Sequence, residues 1–154
     1  MAAIQELPKS LVKKKIQTID FIEDFMRWAT KRKDIHAAAL VGSYARDTAN
    51  ESSDVDLVII ANDPAKYISS NEWTRVFGKP ITKKMEDFGN LISLRVWYES
   101  GLEIEFGFTT REWAKTPLDK GTKHVIEGGM KVLFEKEKLL SPHETPTLRS
   151  QRDT

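Results

Sequence analysis

Two aspartates placed two residues apart, Asp54 and Asp56, are the most chemically informative feature of the sequence. They open an apolar segment that runs to Ala61, and such a run predicts a buried strand. Because side chains alternate along a strand, both carboxylates should project from one sheet face, with Val55 and Leu57 on the other. Like charges repel more strongly as they lose water, so this pair needs a cation beside it. Carboxylate oxygens suit Mg²⁺, which binds through one or two carboxylates together with substrate phosphates.

The dipeptide Gly42-Ser43 is a second candidate feature, because it follows the short apolar run 37–41. That run predicts a buried strand that ends at the glycine. Glycine lets a ligand approach the backbone closely, and free N–H groups at the start of a helical turn favour a phosphate. The Ser43 hydroxyl adds a donor, and Arg46, one turn further on, could reach the same anion. A phosphate cradle and a metal-binding acid pair on adjacent strands are the parts used in phosphoryl or nucleotidyl transfer.

A third acid is expected on a neighbouring strand, where Glu103 and Glu105 share the polar face. The loop 99–101 predicts the register of this hairpin, because a three-residue loop matches apolar faces with apolar faces and polar with polar. Gly101 also suits the left-handed position that such a loop requires. This register places Arg95 opposite Glu105, on the carboxylate face.

One helix is predicted before these first two strands in the chain, and another after them. Apolar residues recur every three or four positions after Ser10, which predicts an amphipathic helix with this serine as its N-cap. A second helix is predicted from Pro64 to about Phe77. The first helix is expected to bury one stripe, widened by three aromatic residues: Val12, Ile16, Ile19, Ile22, Met26 and Ala29, with Phe21, Phe25 and Trp28.

The second half of the chain is predicted to be strand-rich. Residues 92–98 and 102–108 alternate between apolar and polar, as strands with one buried face do. Asp119 is the expected N-cap of a helix that closes at Gly128-Gly129, and 130–134 is a last strand. Residues 1–140 are predicted to form a single domain, followed by a flexible tail over 141–154.

Composition excludes several classes of protein. The 24 basic and 23 acidic residues leave a net charge of +1, which argues against binding of extended nucleic acid. No apolar run reaches the roughly 18 residues of a membrane helix, and we expect no signal peptide at the N-terminus. With no cysteines there is no disulfide framework or thiolate metal site. These observations predict a cytoplasmic protein that makes no use of a membrane.

Gly42-Ser43, a ten-residue spacer and Asp54-Val55-Asp56 together resemble the DNA polymerase beta-type nucleotidyltransferase superfamily. The stretch 101–106 is similar to the strand that carries the third acid in that superfamily. The resemblance places the third acid at Glu105, with Glu103 as its rival. It implies an α/β (α+β) nucleotidyltransferase fold, in which a small mixed β-sheet is backed by helices. Among small members, the chain is similar to antibiotic nucleotidyltransferases and to the minimal nucleotidyltransferases of toxin–antitoxin pairs.

The resemblance also implies an activity, namely transfer of a nucleoside monophosphate from a nucleoside triphosphate to a hydroxyl of a small molecule or protein. Asp54, Asp56 and Glu105 would hold two Mg²⁺ ions, with Glu105 as the base and pyrophosphate as the leaving group. The Gly42-Ser43 turn would bind the terminal phosphates of the nucleotide. The two arginines, Arg46 and Arg95, are further candidate nucleotide ligands. For Arg95 the alternative is that it neutralises Glu105.

A non-catalytic reading stays open at this point. The domain could be a nucleotide- or partner-binding module, such as an antitoxin-like minimal nucleotidyltransferase domain. The 49 residues that follow Glu105 are too few for a second full domain, so a homodimer or a partner protein could complete the acceptor site. The sequence names neither the nucleobase nor the acceptor.

Overall fold

The computed structural model describes residues 9–50, 52–116 and 118–144. Its helices are α1 (Lys9–Thr30), α2 (Pro64–Ser69) and α3 (Lys120–Glu127). Its strands are β1 (Ile35–Val41), β2 (Val55–Ala61), β3 (Pro80–Asp87), β4 (Ile92–Tyr98), β5 (Glu103–Thr109) and β6 (Met130–Glu135). Short 3-10 turns lie at Gly42–Tyr44, Glu72–Phe77, Arg111–Ala114 and Ser141–His143. In these residues no helix combines the length and apolar character that a membrane crossing requires.

The six strands form one mixed sheet in the order β3-β4-β5-β2-β1-β6. The central strands β2 and β5 pair in parallel, and the other neighbouring pairs are antiparallel. A parallel pair needs a long crossover, which here runs through α2, β3 and β4. The predicted fold class, a small mixed β-sheet backed by helices, is confirmed.

One face of the sheet carries the larger core. Aromatic side chains from α1, from α2, from the turn Glu72–Phe77 and from β5 pack against one another there, many of them edge to face. Edge-to-face contacts suit the ring quadrupole and add to the energy of burial. The rings of this aromatic core are Phe21, Phe25, Trp28, Tyr67, Trp73, Phe77, Phe106 and Phe108.

The opposite face is only partly covered. A smaller core lies under α3 and the turn Arg111–Ala114, where Trp113 packs with Val58, Ile60 and Met130. Beyond this cover the polar residues of β2, β4 and β5 share the same face. The candidate site residues of the strands therefore lie on the face that the aromatic core does not occupy.

The hairpin register follows the prediction from its loop. Arg95 pairs with Glu105, as expected. Gly101 has φ of 96°, and the backbone N–H of Tyr98 donates to the carbonyl of Leu102 at 2.8 Å. A left-handed residue at this position is what a three-residue loop needs, and glycine adopts it without steric cost. The register prediction is confirmed.

The predicted buried stripe of α1 is wrong in its first half. Val12, Ile16 and Ile19 are 39%, 55% and 57% exposed. The buried residues are Thr18, Phe21, Phe25, Trp28 and Ala29, about half a turn away around the helix. Two apolar stripes competed for the sheet, and the stripe with the larger rings buries more apolar surface. Ser10 also lies inside the helix rather than at its cap.

The predicted helix from Pro64 to Phe77 is interrupted after Ser69, and a 3-10 turn takes over from Glu72. The Asn71 side chain donates to the carbonyl of Ile68 at 3.1 Å and replaces a helical backbone bond. Short polar side chains compete with the backbone in this way.

The last helix and strand agree with the sequence, since Asp119 accepts a hydrogen bond from the backbone of Thr122 and β6 follows Gly129. Glu135 then accepts from the backbone N–H groups of Leu139, Leu140 and Ser141, which folds the chain back on itself. Residues 145–154 of the predicted tail lie outside the described residues, and the division at residue 140 stays a prediction.

Candidate active site

Three carboxylates meet at the open end of the central strand pair. Asp56 on β2 lies directly across from Glu105 on β5, because the two strands pair in parallel at that register. Asp54 precedes β2 by one residue and joins them. One oxygen from each of the three side chains lies within 4.8 Å of the other two. We call these residues the acidic triad.

Of the three acids in the acidic triad, Asp56 has the surroundings least favourable to a charged carboxylate. Its Oδ1 atom is buried and has no hydrogen-bond partner among the described residues. Burial and the neighbouring acids Asp54 and Glu105 raise the pKa of Asp56 to about 9. A carboxylate in this position is stabilised by a cation and destabilised by its neighbours. The donor set, three carboxylates around one buried and unpaired oxygen, fits a hard divalent cation such as Mg²⁺.

Arg95 partly neutralises the triad from β4. Its Nη1 donates to Oδ2 of Asp54 at 2.8 Å and its Nη2 to Oε2 of Glu105 at 2.9 Å. Nη1 also bonds Glu103, which in turn accepts from the indole N–H of Trp97 at 2.9 Å. Burial lowers the pKa of Arg95, but the three acids outweigh it and raise the pKa above its usual value.

The two candidates for the third acid, Glu105 and Glu103, therefore have different positions in the structure. Glu105 lies in the acidic triad and accepts a further hydrogen bond from the Ser93 hydroxyl at 2.8 Å. Glu103 is held by Arg95 and Trp97 and stands outside the group. Asp56 makes no ion pair with Arg95, so the arginine leaves the most buried acid without a cation.

Gly42 and Ser43 lie in the 3-10 turn that follows β1, beside Asp56. Gly42 has φ of 75°, and a Cβ atom there would lie 2.5 Å from Oδ2 of Asp56. Both the left-handed backbone and the close approach require glycine. The turn thus brings the start of the predicted phosphate cradle against the acidic triad, as the sequence predicts.

A cavity of about 520 Å³ opens beside the acidic triad. Gly42, Asp56 and Glu105 line it. Arg46 lines the cavity and donates from Nη1 to the carbonyl of Gly128 at 2.8 Å. Arg46 and Gly42 therefore face the same space, whereas Arg95 does not line it.

Several cavity residues had no signal in the sequence. They come from the turn after β3, from the turn Arg111–Ala114 and from α3, and they share only their position in the fold. No spacing rule links elements so far apart in the chain. These residues are Phe88, Asn90, Leu91, Trp113, His124 and Val125.

The chain is similar to known proteins in sequence and in fold. The family model of streptomycin adenylyltransferase matches residues 16–152. A search of curated proteins found no match. Among solved structures, an aminoglycoside 6-adenyltransferase from Bacillus subtilis is similar, with a TM-score of 0.56 and 17% identity over 96% of this chain and 51% of that one. The chain thus spans about half the length of that structure.

Two weaker similarities are to a cytoplasmic RNA terminal U-transferase and to a CCA-adding enzyme. The first has a TM-score of 0.43 and 16% identity over 70% of this chain and 33% of that one. The second has a TM-score of 0.41 and 18% identity over 80% of this chain and 26% of that one. The family model covers most of the chain, including the Gly-Ser turn and the acidic triad. The chain belongs to the streptomycin adenylyltransferase family, within the nucleotidyltransferase superfamily.

Proposed function

We propose that this domain transfers an adenylyl group from ATP to a hydroxyl of a small-molecule acceptor. The observation that carries the proposal is the acidic triad, with one oxygen from each acid within 4.8 Å of the others and a buried Asp56 oxygen that lacks a partner. Family membership supports the adenylyl group as the moiety transferred. A buried, unpaired carboxylate destabilises the fold. A site that had lost its activity would therefore be expected to lose this group as well.

Each site residue has a role in this reaction. Asp54, Asp56 and Glu105 would hold Mg²⁺, which when bound stabilises the attacking and leaving oxygens of an in-line displacement. The backbone of Gly42 and the hydroxyl of Ser43 would bind the terminal phosphates. The acceptor oxygen forms a bond to the α-phosphorus, the bond from that phosphorus to the bridging oxygen breaks, and pyrophosphate leaves. Glu105 takes the proton of the acceptor hydroxyl.

We assign the two arginines different roles. Arg46 faces the cavity, and its Nη1 donates to the carbonyl of Gly128. The other N–H groups of its guanidinium remain able to donate to a phosphate. Arg95 already donates to Asp54, Glu103 and Glu105. Its contacts favour a positioning role, in which it holds two of the triad acids in place, over direct binding of the nucleotide.

The acceptor is proposed from the relatives alone. The family description names streptomycin, and the similar structure is an aminoglycoside adenylyltransferase. Streptomycin and the aminoglycosides are small molecules with several hydroxyl groups. We therefore propose that the acceptor is a polyhydroxylated small molecule rather than a protein. A cytoplasmic location, where nucleoside triphosphates are abundant, stays a prediction.

Nucleotide binding tests the site without knowledge of the acceptor. We would titrate ATP, GTP, CTP and UTP by calorimetry, with and without Mg²⁺, into the wild type and the double variant Asp54→Asn/Asp56→Asn. We expect Mg²⁺-dependent binding with ATP preferred, and loss of that binding in the double variant. The matched control is Asp63→Asn/Glu127→Gln, which changes the net charge equally at exposed positions and should bind like the wild type. Binding that is indifferent to Mg²⁺ or to the double variant would contradict the proposal.

Pyrophosphate release separates the enzyme from a binding module. With ATP and Mg²⁺ present, an acceptor should produce pyrophosphate and an adenylylated product of matching mass. Streptomycin is the first acceptor to try, because the family description names it. Tight nucleotide binding without release across a panel of polyhydroxylated acceptors would favour the binding module.

A further inference from the structure

Glu103 is an acid beside the acidic triad to which the proposed function assigns no role. It pairs across the hairpin from Trp97, as Glu105 pairs from Arg95, so the four side chains share one sheet face. Its Oε1 accepts from the indole N–H of Trp97 at 2.9 Å, and its Oε2 accepts from Nη1 of Arg95. The guanidinium carbon of Arg95 also lies 5.9 Å from the centre of the Trp97 ring. Trp97 therefore fixes the Glu103 carboxylate against the guanidinium of Arg95.

Arg95 divides its hydrogen bonds between Glu103 and the acidic triad. Nη1 donates both to Glu103 and to Oδ2 of Asp54, whereas Nη2 donates to Oε2 of Glu105. The guanidinium thus binds two of the three acids that would hold Mg²⁺. A cation already paired with these acids competes with a divalent ion for their charge and also repels it.

The position of this cluster makes the competition strong. The side chains of Arg95 and of its three carboxylate partners are only 19–27% exposed. Charges at partly buried positions are screened less by water and salt than charges at the surface. Glu103 is the partner that stands outside the acidic triad, so it can offset the charge of Arg95 without being a metal ligand.

We propose that Glu103, oriented by Trp97, is a positioning residue that offsets the charge of Arg95 and so preserves the affinity of the acidic triad for a divalent cation. Without Glu103, the guanidinium would pair more strongly with Asp54 and Glu105 at the expense of the ion. With Glu103, Arg95 retains a carboxylate partner when an ion takes up the charge of the other two. The inference rests on the proposed function, because it concerns the ion that the triad would hold.

A simpler explanation of Glu103 makes a different prediction. If this acid attracted the ion only as one more negative charge near the site, its removal would weaken ion binding whether or not Arg95 is present. If it acts through Arg95, its removal should matter only while the guanidinium is there. A double-mutant cycle between Glu103 and Arg95 separates the two explanations.

Binding of Mn²⁺ to the full chain without nucleotide tests the proposal. Mn²⁺ prefers the same carboxylate ligands as Mg²⁺, and the electron paramagnetic resonance signal of the free ion measures the bound fraction. We expect Glu103→Gln to weaken binding about fivefold. Arg95→Gln, which removes the competing charge, should bind no more weakly than the wild type. Glu103→Gln/Arg95→Gln should bind as Arg95→Gln does, so loss of the arginine should rescue loss of the acid.

Two further variants sharpen the test. Trp97→Phe keeps a ring and the net charge but removes the donor that orients Glu103, so it should weaken binding in the same direction by a smaller factor. This variant also tests the proposal if Arg95→Gln does not fold, which circular dichroism would show. The matched control is Glu99→Gln, which removes an exposed carboxylate of the same hairpin that pairs with Lys79, and it should bind like the wild type.

Failure of this inference is distinguishable from failure of the proposed function. Mn²⁺ binding that is lost in Asp54→Asn/Asp56→Asn but unchanged in Glu103→Gln or in Trp97→Phe would overturn the inference alone. Equal weakening by Glu103→Gln with and without Arg95 would overturn it too, because the acid would then act directly on the ion. A wild type that binds no Mn²⁺ would overturn both proposals.

Discussion

The two faces of the central strands β2 and β5 differ in how well the surroundings stabilise their side chains. On the α1 side Val55 and Ile104 are fully buried among apolar neighbours and aromatic rings. On the other side, one residue further along each strand, Asp56 lies beside Glu105, and burial together with the neighbouring acids makes ionisation of Asp56 unfavourable. The same pair of strands therefore holds a stable core on one face and, on the other, a cluster of acids whose full ionisation is unfavourable. The apolar face supplies the stability that keeps the acids close together.

The largest expected effect comes from weakening the apolar face. Phe106 is fully buried and contacts four other rings of the aromatic core. Phe106→Ala should lower the free energy of unfolding by about 3–5 kcal/mol, because it removes a ring and leaves a cavity. Chemical denaturation measures the change. Phe88→Ala, which removes an equal ring that is 57% exposed, should change stability by less than about 0.5 kcal/mol. Equal losses in the two variants would contradict the comparison.

A methyl group at Gly42 should disturb the polar face alone. Gly42→Ala should lose about 1–2 kcal/mol from the left-handed backbone and also push on the Asp56 carboxylate, where the contact would be 2.5 Å. We expect loss of Mg²⁺-dependent nucleotide binding, measured by calorimetry.

The matched control for that variant is Gly101→Ala. Gly101 has φ of 96°, and a Cβ there would meet no atom within 4 Å. It should lose a similar stability with nucleotide binding unchanged. Equal loss of binding in both variants would show that backbone strain, and not the contact with Asp56, is responsible.

Replacing the carboxyl of Asp56 with an amide, which does not ionise, should stabilise the metal-free protein near neutral pH. Because the pKa of Asp56 is about 9 in the fold, against 3.8 for an ordinary aspartate, the folded protein holds this proton more tightly than the unfolded chain. Wild-type stability should therefore fall as the pH rises between those two values. Asp56→Asn should abolish that fall and gain about 0.5–2 kcal/mol near neutral pH.

Thermal unfolding across a pH series measures this gain, with Asp63→Asn as the exposed control. Added Mg²⁺ should raise the unfolding temperature of the wild type and leave that of Asp56→Asn unchanged, since only the native site binds the ion. A wild type that grows more stable from pH 5 to pH 9 relative to Asp56→Asn would contradict the raised pKa of Asp56.

The smallest expected effect lies at the edge of the aromatic core. The Tyr67 hydroxyl donates to Oδ1 of Asp34 at 2.7 Å, while its ring stacks on Phe108. Partial burial raises the pKa of Asp34, but the bonds from Tyr67 and Lys66 outweigh it and hold the pKa below its usual value. This stability is present at neutral pH and is lost as the pH falls through the folded pKa.

Tyr67→Phe keeps the ring and removes the bond, so it should lower the free energy of unfolding by about 1 kcal/mol at neutral pH. The difference from the wild type should shrink in acid as Asp34 becomes protonated. Urea denaturation at neutral and acid pH measures it. A loss that is the same at both would mean that the hydroxyl acts through some other contact.

The sequence predicted the polar face better than the apolar one. Alternation along β4 and β5 and the loop at Gly101 predicted that Arg95 lies opposite Glu105, which is a short-range rule of strand geometry. That Glu105 rather than Glu103 joins Asp56 came from the resemblance to the nucleotidyltransferase superfamily. Which stripe of α1 faces the sheet depends instead on rings contributed by distant elements, and the prediction for Ile16 and Ile19 failed there.

Two other features, the break in the helix after Ser69 and the walls of the cavity, could not be predicted from the sequence because they depend on particular side-chain contacts. The break after Ser69 depends on Asn71, whose side chain competes locally with the helix, and on Trp73, whose indole N–H donates to the carbonyl of Tyr67. The cavity is walled by Asn90, Trp113 and Val125, which come from three separate elements. Only the tertiary arrangement brings them together.

The parallel pairing of β2 with β5 has a consequence for how the protein folds. Asp56 and Glu105 are 49 positions apart in the chain, and a whole antiparallel hairpin with an edge strand lies between them. Closing so long a loop is entropically unfavourable, and contacts of this kind form late and slow folding. The repulsive acids therefore meet only after the apolar sheet can restrain them. A chain emerging from the ribosome would not gather divalent ions at this site before its central strands had paired.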